Sequence, residues 1–452
     1  MAFVRSIGRW TMTALVINTI IGSGIFGLPG ELNRLLGRAS PFAMILAALG
    51  VAVIMACVAE VASQFSEPGG PYLYVRTAFG RFLGMQIGWL ELLSVVTGLA
   101  ALTNLFVDYL AAFLPRPLIA WERASLMAVV IAIPAVVNYR GARGGGRLSN
   151  LTTLAKLTPL ALLILVGLVR FARQPQMIRP LEITSPGISN WIRAIVLLLF
   201  AYGGWEDTLV PAGEINEPRR TVPFGLGTAL FTSAVIYMLL QFITVATIGT
   251  KATATPLQEV AAVLLARGGA TFVTIAALVS VYGWISGAML YAPRLTYSLA
   301  AQGDFPAMFT RIHPRFHTPA VAILFYAFVG WVLAASGTFL YLVAVGSATF
   351  LVLYTGMCAS LIRLRKLHPN AKAFRIPFGP VVSVFGVAIS LALMTGLKRR
   401  EVFLLCVTAL IAAANWMWAK RRQLQVESNA KSRGRLDLPR EPVIWMTAER
   451  VL

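Results

Sequence analysis

The sequence predicts an all-α polytopic membrane protein with about twelve transmembrane helices, on three observations. Its 452 residues are 58% hydrophobic and only 13% charged, with a mean hydropathy of +0.74. A soluble domain carries roughly 45–50% apolar and about 25% charged residues. Apolar runs of about 20 residues or more, the length a helix needs to cross a bilayer, recur from end to end. The formal net charge of +21 is divided among short Lys/Arg clusters between those runs, where it sets orientation in a membrane instead of forming a nucleic-acid surface. A cytosolic enzyme is excluded, as is a fibrous or disordered chain, because Gly and Pro are neither periodic nor dominant. The runs are too long and continuous for barrel strands.

In chain order the expected spans are 11–34, 40–62, 83–113, 122–139, 149–171, 190–213, 224–248, 270–300, 318–336, 338–362, 377–396 and 401–419. The first run has no cleavage site and continues into a longer patterned span, so it reads as a helix and not a signal peptide. An even number of spans puts both termini on one side, and the loop Lys/Arg bias modestly favours the cytoplasmic side of a plasma membrane. The tail from Lys420 is polar and basic. Cys57, Cys358 and Cys406 all sit in apolar runs, so neither a disulfide framework nor a metal cluster is expected.

The first span contains Asn18-Thr19-Ile20-Ile21-Gly22-Ser23-Gly24-Ile25-Phe26-Gly27-Leu28-Pro29-Gly30. Gly-Ser-Gly is a weak helix former and can unwind, and in a membrane the freed backbone groups are tolerated only where they line a cavity or are buried in protein. The sixth span has a matching interruption, Phe200-Ala201-Tyr202-Gly203-Gly204-Trp205-Glu206-Asp207, followed by Pro211 and Gly213. Interruptions at corresponding positions point to an inverted-repeat transporter, and the unusually long third and eighth spans repeat the same symmetry. The expected organisation is an N-terminus at 1–10, five-helix repeats at 11–176 and 177–366, two additional helices at 367–419 and a basic tail at 420–452. A break near mid-bilayer, with a new half-helix starting near Ile25, turns N–H groups of Gly22–Gly24 toward a substrate carboxylate. Carbonyls near Thr19, Ile20, Phe200 and Ala201 would face an ammonium group. The two polarities suit a zwitterion.

These residues resemble the amino acid–polyamine–organocation superfamily, in particular its amino-acid permeases. The likeness runs through most of spans one to eight: Ile21-Gly22-Ser23-Gly24-Ile25-Phe26, Ala59-Glu60-Val61-Ala62, Pro68-Gly69-Gly70-Pro71-Tyr72-Leu73-Tyr74, Ala78-Phe79-Gly80, Gly88-Trp89, Phe200-Ala201-Tyr202-Gly203-Gly204-Trp205-Glu206 and Glu214-Ile215-Asn216-Glu217-Pro218-Arg219-Arg220-Thr221-Val222-Pro223. The last four spans match only in hydropathy. The resemblance implies a LeuT-type five-plus-five inverted repeat, alternating access, and import or exchange of amino acids. It implies a substrate site formed by Thr19, Ile20, Gly22, Ser23, Gly24, Phe200, Ala201 and Gly203, with Phe200 closing over the substrate as a gate.

Lys156 lies within the otherwise apolar fifth span, and a charge there costs about 2.5–3.5 kcal/mol on insertion scales unless it has a partner. Snorkelling to the nearer membrane surface is the bland explanation. The resemblance implies that its ammonium stands where sodium-driven relatives hold Na⁺, near carbonyls of Ile20 or Gly22 and near Ser286, and could load and release a proton. Glu206 reads equally as a cap of the second half-helix or as a proton relay or cation contact, while Asp207 reads as a cap. Glu60 reads as a gate ion pair with a loop arginine. Glu91, near the inner end of the third span, takes no role. Asp108 reads as a solvated outer residue, and His313, His317 and His368 as surface residues.

The expected activity is sodium-independent, proton-coupled secondary transport of amino acids, without a cofactor and without enzymatic chemistry. No GxxxxGK[ST], HExxH or GxSxG segment is present. The small residues Ala201, Gly203 and Gly204 mildly favour a neutral substrate. Amino-acid exchange, a cationic amino acid or a polyamine are the alternatives, and a non-transporting receptor is a remote one. The expected partners are the substrate, protons and the lipid bilayer, with no nucleic acid and a monomeric or weakly homo-oligomeric chain. Some animal relatives carry a heavy chain disulfide-linked between the third and fourth spans; residues 114–122 hold no cysteine for it.

Overall fold

A computed structural model describes residues 7–432 except 23, 66–68, 142–144, 178–185, 210–214, 252, 266 and 370–372, and leaves out the side chains of 145–155, 267, 423 and 426–432. The expectations for Ser23, Pro68, Pro211, Gly213 and Glu214 lie outside the described residues, as does the tail beyond Ser432. The elements are α1 (Arg9–Ile20), α2 (Gly24–Gly27), α3 (Pro29–Leu36), α4 (Ser40–Ala62), α5 (Gly70–Phe79), α6 (Arg81–Ala111), α7 (Ala120–Tyr139), α8 (Gly145–Arg173), α9 (Ile188–Tyr202), α10 (Pro218–Ile248), α11 (Pro256–Leu264), α12 (Arg267–Ala301), α13 (Ala320–Ser336), α14 (Phe339–Leu367), α15 (Gly379–Met394) and α16 (Arg399–Ser432). Among the described residues there is no β-strand, only an isolated bridge between Ile7 and Ile215.

Among the described residues, eight helical stretches are long and apolar enough to cross a membrane, and α9, α13 and α15 are shorter apolar helices. The chain is therefore a helical, polytopic membrane protein. Proline stands in the first turn of α3, α4, α5, α10, α11 and α15, where its missing N–H removes a group that would have no intrahelical partner anyway. Between α2 and α3 the same property does the opposite. Pro29 cannot donate to the preceding turn, so the chain bends there while Leu28 N–H still reaches the Gly24 carbonyl at 2.9 Å.

The bundle is organised around α6, about 46 Å long at 1.5 Å per residue. Its most apolar window is 89% buried, against 11% for α16, so α6 forms the centre and α16 the rim. Helices α14, α12, α13 and α5 pack on α6, while α10 joins α1 to α4. One end of the bundle is held by two buried carboxylates. Asp304, fully buried, accepts from Arg81 at 2.7 Å, from Arg76 at 3.2 Å and from the Tyr72 hydroxyl. Glu60, also fully buried, receives both arms of the Arg365 guanidinium at 2.6 Å and the Ile376 N–H at 2.9 Å. The expected arginine partner of Glu60 thus lies in the last turn of α14 and not in a loop. Asp108, expected to be solvated, pairs with Arg123 at 2.7 Å.

Candidate functional site: a cavity between two broken helices

Both interruptions expected from the sequence are present. α1 ends at Ile20 and helix resumes at Gly24, while α9 ends at Tyr202 and gives way to a short 3-10 turn over Glu206–Leu209. Gly204 has φ +91°, a backbone conformation that glycine adopts without the Cβ penalty of other residues. Gly24 is required for a different reason. A Cβ there would lie 2.7 Å from the Ala201 Cα, so the absent side chain is what lets the two broken segments touch. At Gly22 an added Cβ would meet only ordinary contacts, the nearest at 3.5 Å.

The loose ends are partly tied. The Tyr237 hydroxyl of α10 lies 2.6 Å from the Ile20 carbonyl and 3.0 Å from the Ala201 carbonyl, which joins the last turn of α1 to that of α9. Gly22 N–H turns back onto the Ile20 carbonyl at 2.7 Å. The polar groups left for a ligand are therefore fewer than the sequence suggested. The Ile20 carbonyl already accepts from Tyr237 and Gly22, and Gly22 N–H already donates, while the Ala201 carbonyl keeps a lone pair beside its Tyr237 contact. Among the described residues, the amides of Gly24 and Ile25 open α2, where a helix has no preceding turn to supply acceptors.

A cavity lies between the breaks. It is lined by Thr19, Ile20, Gly22, Gly24, Phe200, Gly203, Gly204 and Glu206 from the broken segments, so most of the sequence-predicted site residues converge. Ala201 packs behind Gly24 instead of lining the space. The wall is completed by Glu91, Ser94, Val95, Gly98 and Leu102 of α6, by Trp284 and Tyr291 of α12, by Phe350 and Leu353 of α14, and by Asp207. Gly98 is small enough to admit the Trp284 ring, which would stand 2.9 Å from a Cβ there. Phe200, half-buried at the end of α9, rests on Gly346 of α14, where an added Cβ would come within 3.3 Å of its ring. On the Glu206 side, Trp205 and Phe350 both stack against Tyr354, with ring centroids 5.7 and 5.6 Å apart.

Lys156 and Ser286 are not on the cavity wall. The Lys156 side chain is buried, and its ammonium donates to the Asn18 side-chain oxygen at 3.0 Å and the Asn18 carbonyl at 3.3 Å. It thus bonds to α1 one turn before the break, and it does not snorkel. Its partner is Asn18, not the expected Ile20 or Gly22. Glu206 accepts the Gly204 N–H, two residues before it, at 3.2 Å.

The sequence reading missed the wall contributed by α6. Glu91, Ser94, Val95, Gly98 and Leu102 follow helical spacing along one face, and an acid on a face that also carries serine and glycine was the available signal. Glu91 is buried, and one of its carboxylate oxygens has no hydrogen-bond partner.

Known proteins resemble the chain along most of its length. A family model described as amino acid permease matches residues 7–425. The chain is 27% identical over 402 residues to the serine/threonine exchanger SteT of Bacillus subtilis, covering 85% of this chain and 89% of that protein. It is 27% identical over 425 residues to the methylthioribose transporter of the same organism, covering 88% and 89%. It is 25% identical over 411 residues to the branched-chain amino acid permease BcaP of Lactococcus lactis, covering 85% and 88%. With the match spanning nearly its whole length, the chain belongs to the amino acid permease family, within the amino acid–polyamine–organocation superfamily.

Proposed function

We propose that this permease carries amino acids across the plasma membrane by alternating access, without sodium and with proton coupling. In this reading it has twelve transmembrane helices arranged as a LeuT-type five-plus-five inverted repeat plus two, with both termini cytoplasmic. The observation that carries the proposal is the pair of broken helices meeting at one cavity. Broken-helix ends at mid-membrane are where such carriers hold small charged ligands. The substrate carboxylate sits at the amides that begin α2 at Gly24, beside Gly22 and Ser23. The α-ammonium meets the Thr19 side of the cavity, since the Ile20 carbonyl already accepts from Tyr237 and Gly22 and Ala201 packs behind Gly24. Gly203 leaves room beside the substrate, and Phe200 swings over it to exclude water while the carrier reorients.

Lys156 supports sodium independence. While protonated, a buried ammonium bonded to Asn18 supplies the positive charge between α8 and α1 that a sodium ion would otherwise have to bring. In this role it is the group that takes up and gives back a proton, with Ser286 and Glu206 as the further coupling residues the sequence suggests. Exchange of one amino acid for another is a second mode of the same carrier, favoured by the name of the SteT relative. Proteoliposomes containing the purified chain test the proposal. Labelled amino acids should enter under an inward proton gradient in sodium-free buffer, and collapse of that gradient should reduce uptake. Uptake that occurs only with a sodium gradient would refute the coupling assigned here.

A further inference from the structure

Three carboxylates share the cavity: Glu91 from α6, and Glu206 and Asp207 from the turn after α9. Among the described residues no lysine or arginine lines it. Lys156 is bonded to Asn18, and the arginines of the Glu60 and Asp304 clusters are bonded to those acids. Glu206 is 3% exposed and Glu91 likewise 3%; one Glu91 oxygen is buried with no hydrogen-bond partner, in a residue that faces the cavity. A buried anion without a cation or a full set of donors is costly. A proton relieves one such carboxylate at a time; a positive group arriving with the ligand relieves several together.

The shape of the cavity agrees. Its α6 wall runs from Glu91 to Leu102, about 16 Å of helix at 1.5 Å per residue. The broken first helix meets α6 toward the other end: Tyr109 donates to the Phe26 carbonyl at 2.8 Å, and a Cβ at Gly27 would contact Leu105. Gly24 and Glu91 therefore stand toward opposite ends of the α6 wall. A small neutral amino acid held at Gly24 would leave the carboxylate end empty.

Resting on the proposal that this chain carries amino acids, we propose that Glu91, Glu206 and Asp207 form a subsite for the cationic side chain of a basic amino acid, one ending in an ammonium or guanidinium group. Glu91 is the specificity-determining member. It comes from a continuous helix, so it holds its position while the two broken segments close. This replaces the neutral side chain favoured by Ala201, Gly203 and Gly204 alone.

Binding to the purified full-length chain in detergent, read by isothermal calorimetry, tests the subsite with isosteric pairs: L-lysine against L-norleucine, and L-arginine against L-citrulline. The expected result is at least tenfold tighter binding of the charged member of each pair. E91Q is expected to lose at least tenfold in affinity for lysine and arginine while leaving norleucine within about twofold. Norleucine and citrulline binding as tightly as their charged partners would overturn the subsite while leaving amino-acid transport standing. So would an E91Q protein that binds arginine as the wild type does. If no amino acid of either kind binds, the underlying transport proposal fails instead. The wild-type comparison needs no variant, so a poorly folding E91Q does not blunt the test.

Discussion

Gly24 carries more of this site than any charged residue does. Its missing side chain sets the distance between the broken first helix and Ala201, and the atom in the way is backbone, which cannot rotate aside. Overpacking of this kind costs about 1–3 kcal/mol when the surroundings must shift. Gly24→Ala is therefore expected to lower counterflow of labelled amino acid more than tenfold while the protein stays monodisperse on size exclusion. Gly22→Ala, whose new Cβ would meet nothing closer than 3.5 Å, should fall much less. Lys156 makes a second prediction at this scale. Removing its ammonium leaves the half-buried Asn18 side-chain oxygen without that donor, at a cost up to the roughly 1–3 kcal/mol of a buried polar group left unsatisfied. Lys156→Met should lower the melting temperature of the detergent-solubilised protein and uncouple uptake from the proton gradient. A variant with unchanged melting and proton dependence would remove Lys156 from the mechanism.

At the scale of the element, the two broken helices behave as one unit because Tyr237 bridges them. A hydroxyl has a single proton, so its position between the Ile20 and Ala201 carbonyls is a shared bond that depends on both ends staying close. Tyr237→Phe keeps the ring and its tilted packing on Tyr202 at 5.1 Å, and leaves the Ala201 carbonyl without this donor while Ile20 keeps only Gly22 N–H. The expected cost is about 1–3 kcal/mol, visible as a lower melting temperature, together with weaker amino-acid binding in the same calorimetric titration. Unchanged melting and binding would mean that the bridge does not hold the site. The interruptions themselves were legible in the sequence, because Gly22-Ser23-Gly24 and Gly203-Gly204 break helices by local propensity alone. The bridge was not. Tyr237 lies in an uninterrupted apolar run of α10, and a tyrosine there reads the same whether its hydroxyl caps a helix or meets solvent at an interface. Glu91 escaped for a related reason. Helical spacing placed it on a face with Ser94 and Gly98, but only packing decides whether that face meets a neighbouring helix or a cavity.

At the scale of the molecule, the cavity has polar clamps at one end of the bundle. Glu60 with Arg365 ties α4 to α14, while Asp304 with Arg76 and Arg81 ties the end of α12 to α5 and α6. Removing one partner of a buried, bidentate ion pair costs about 3–5 kcal/mol, because the other charge is left without compensation. Arg365→Ala should therefore melt at a clearly lower temperature than wild type, with Glu60→Gln/Arg365→Ala recovering part of the loss. Equal melting of the single and double variants would deny the pair its role. The membrane class and the positions of most long helices followed from hydropathy, since lipid dictates apolar length. Which helix sits at the centre did not follow, because α6 and α16 are both apolar and differ only in what surrounds them.

Counterflow in sodium-free buffer tests the central claim most directly. Proteoliposomes holding the full chain are loaded with unlabelled amino acid and diluted into the same amino acid carrying label. The account predicts transient accumulation of label inside above the external concentration, abolished by Gly24→Ala. Label that never exceeds simple equilibration, or a Gly24→Ala protein that accumulates it as the wild type does, would contradict the claim that the meeting point of the two broken helices binds and carries the substrate.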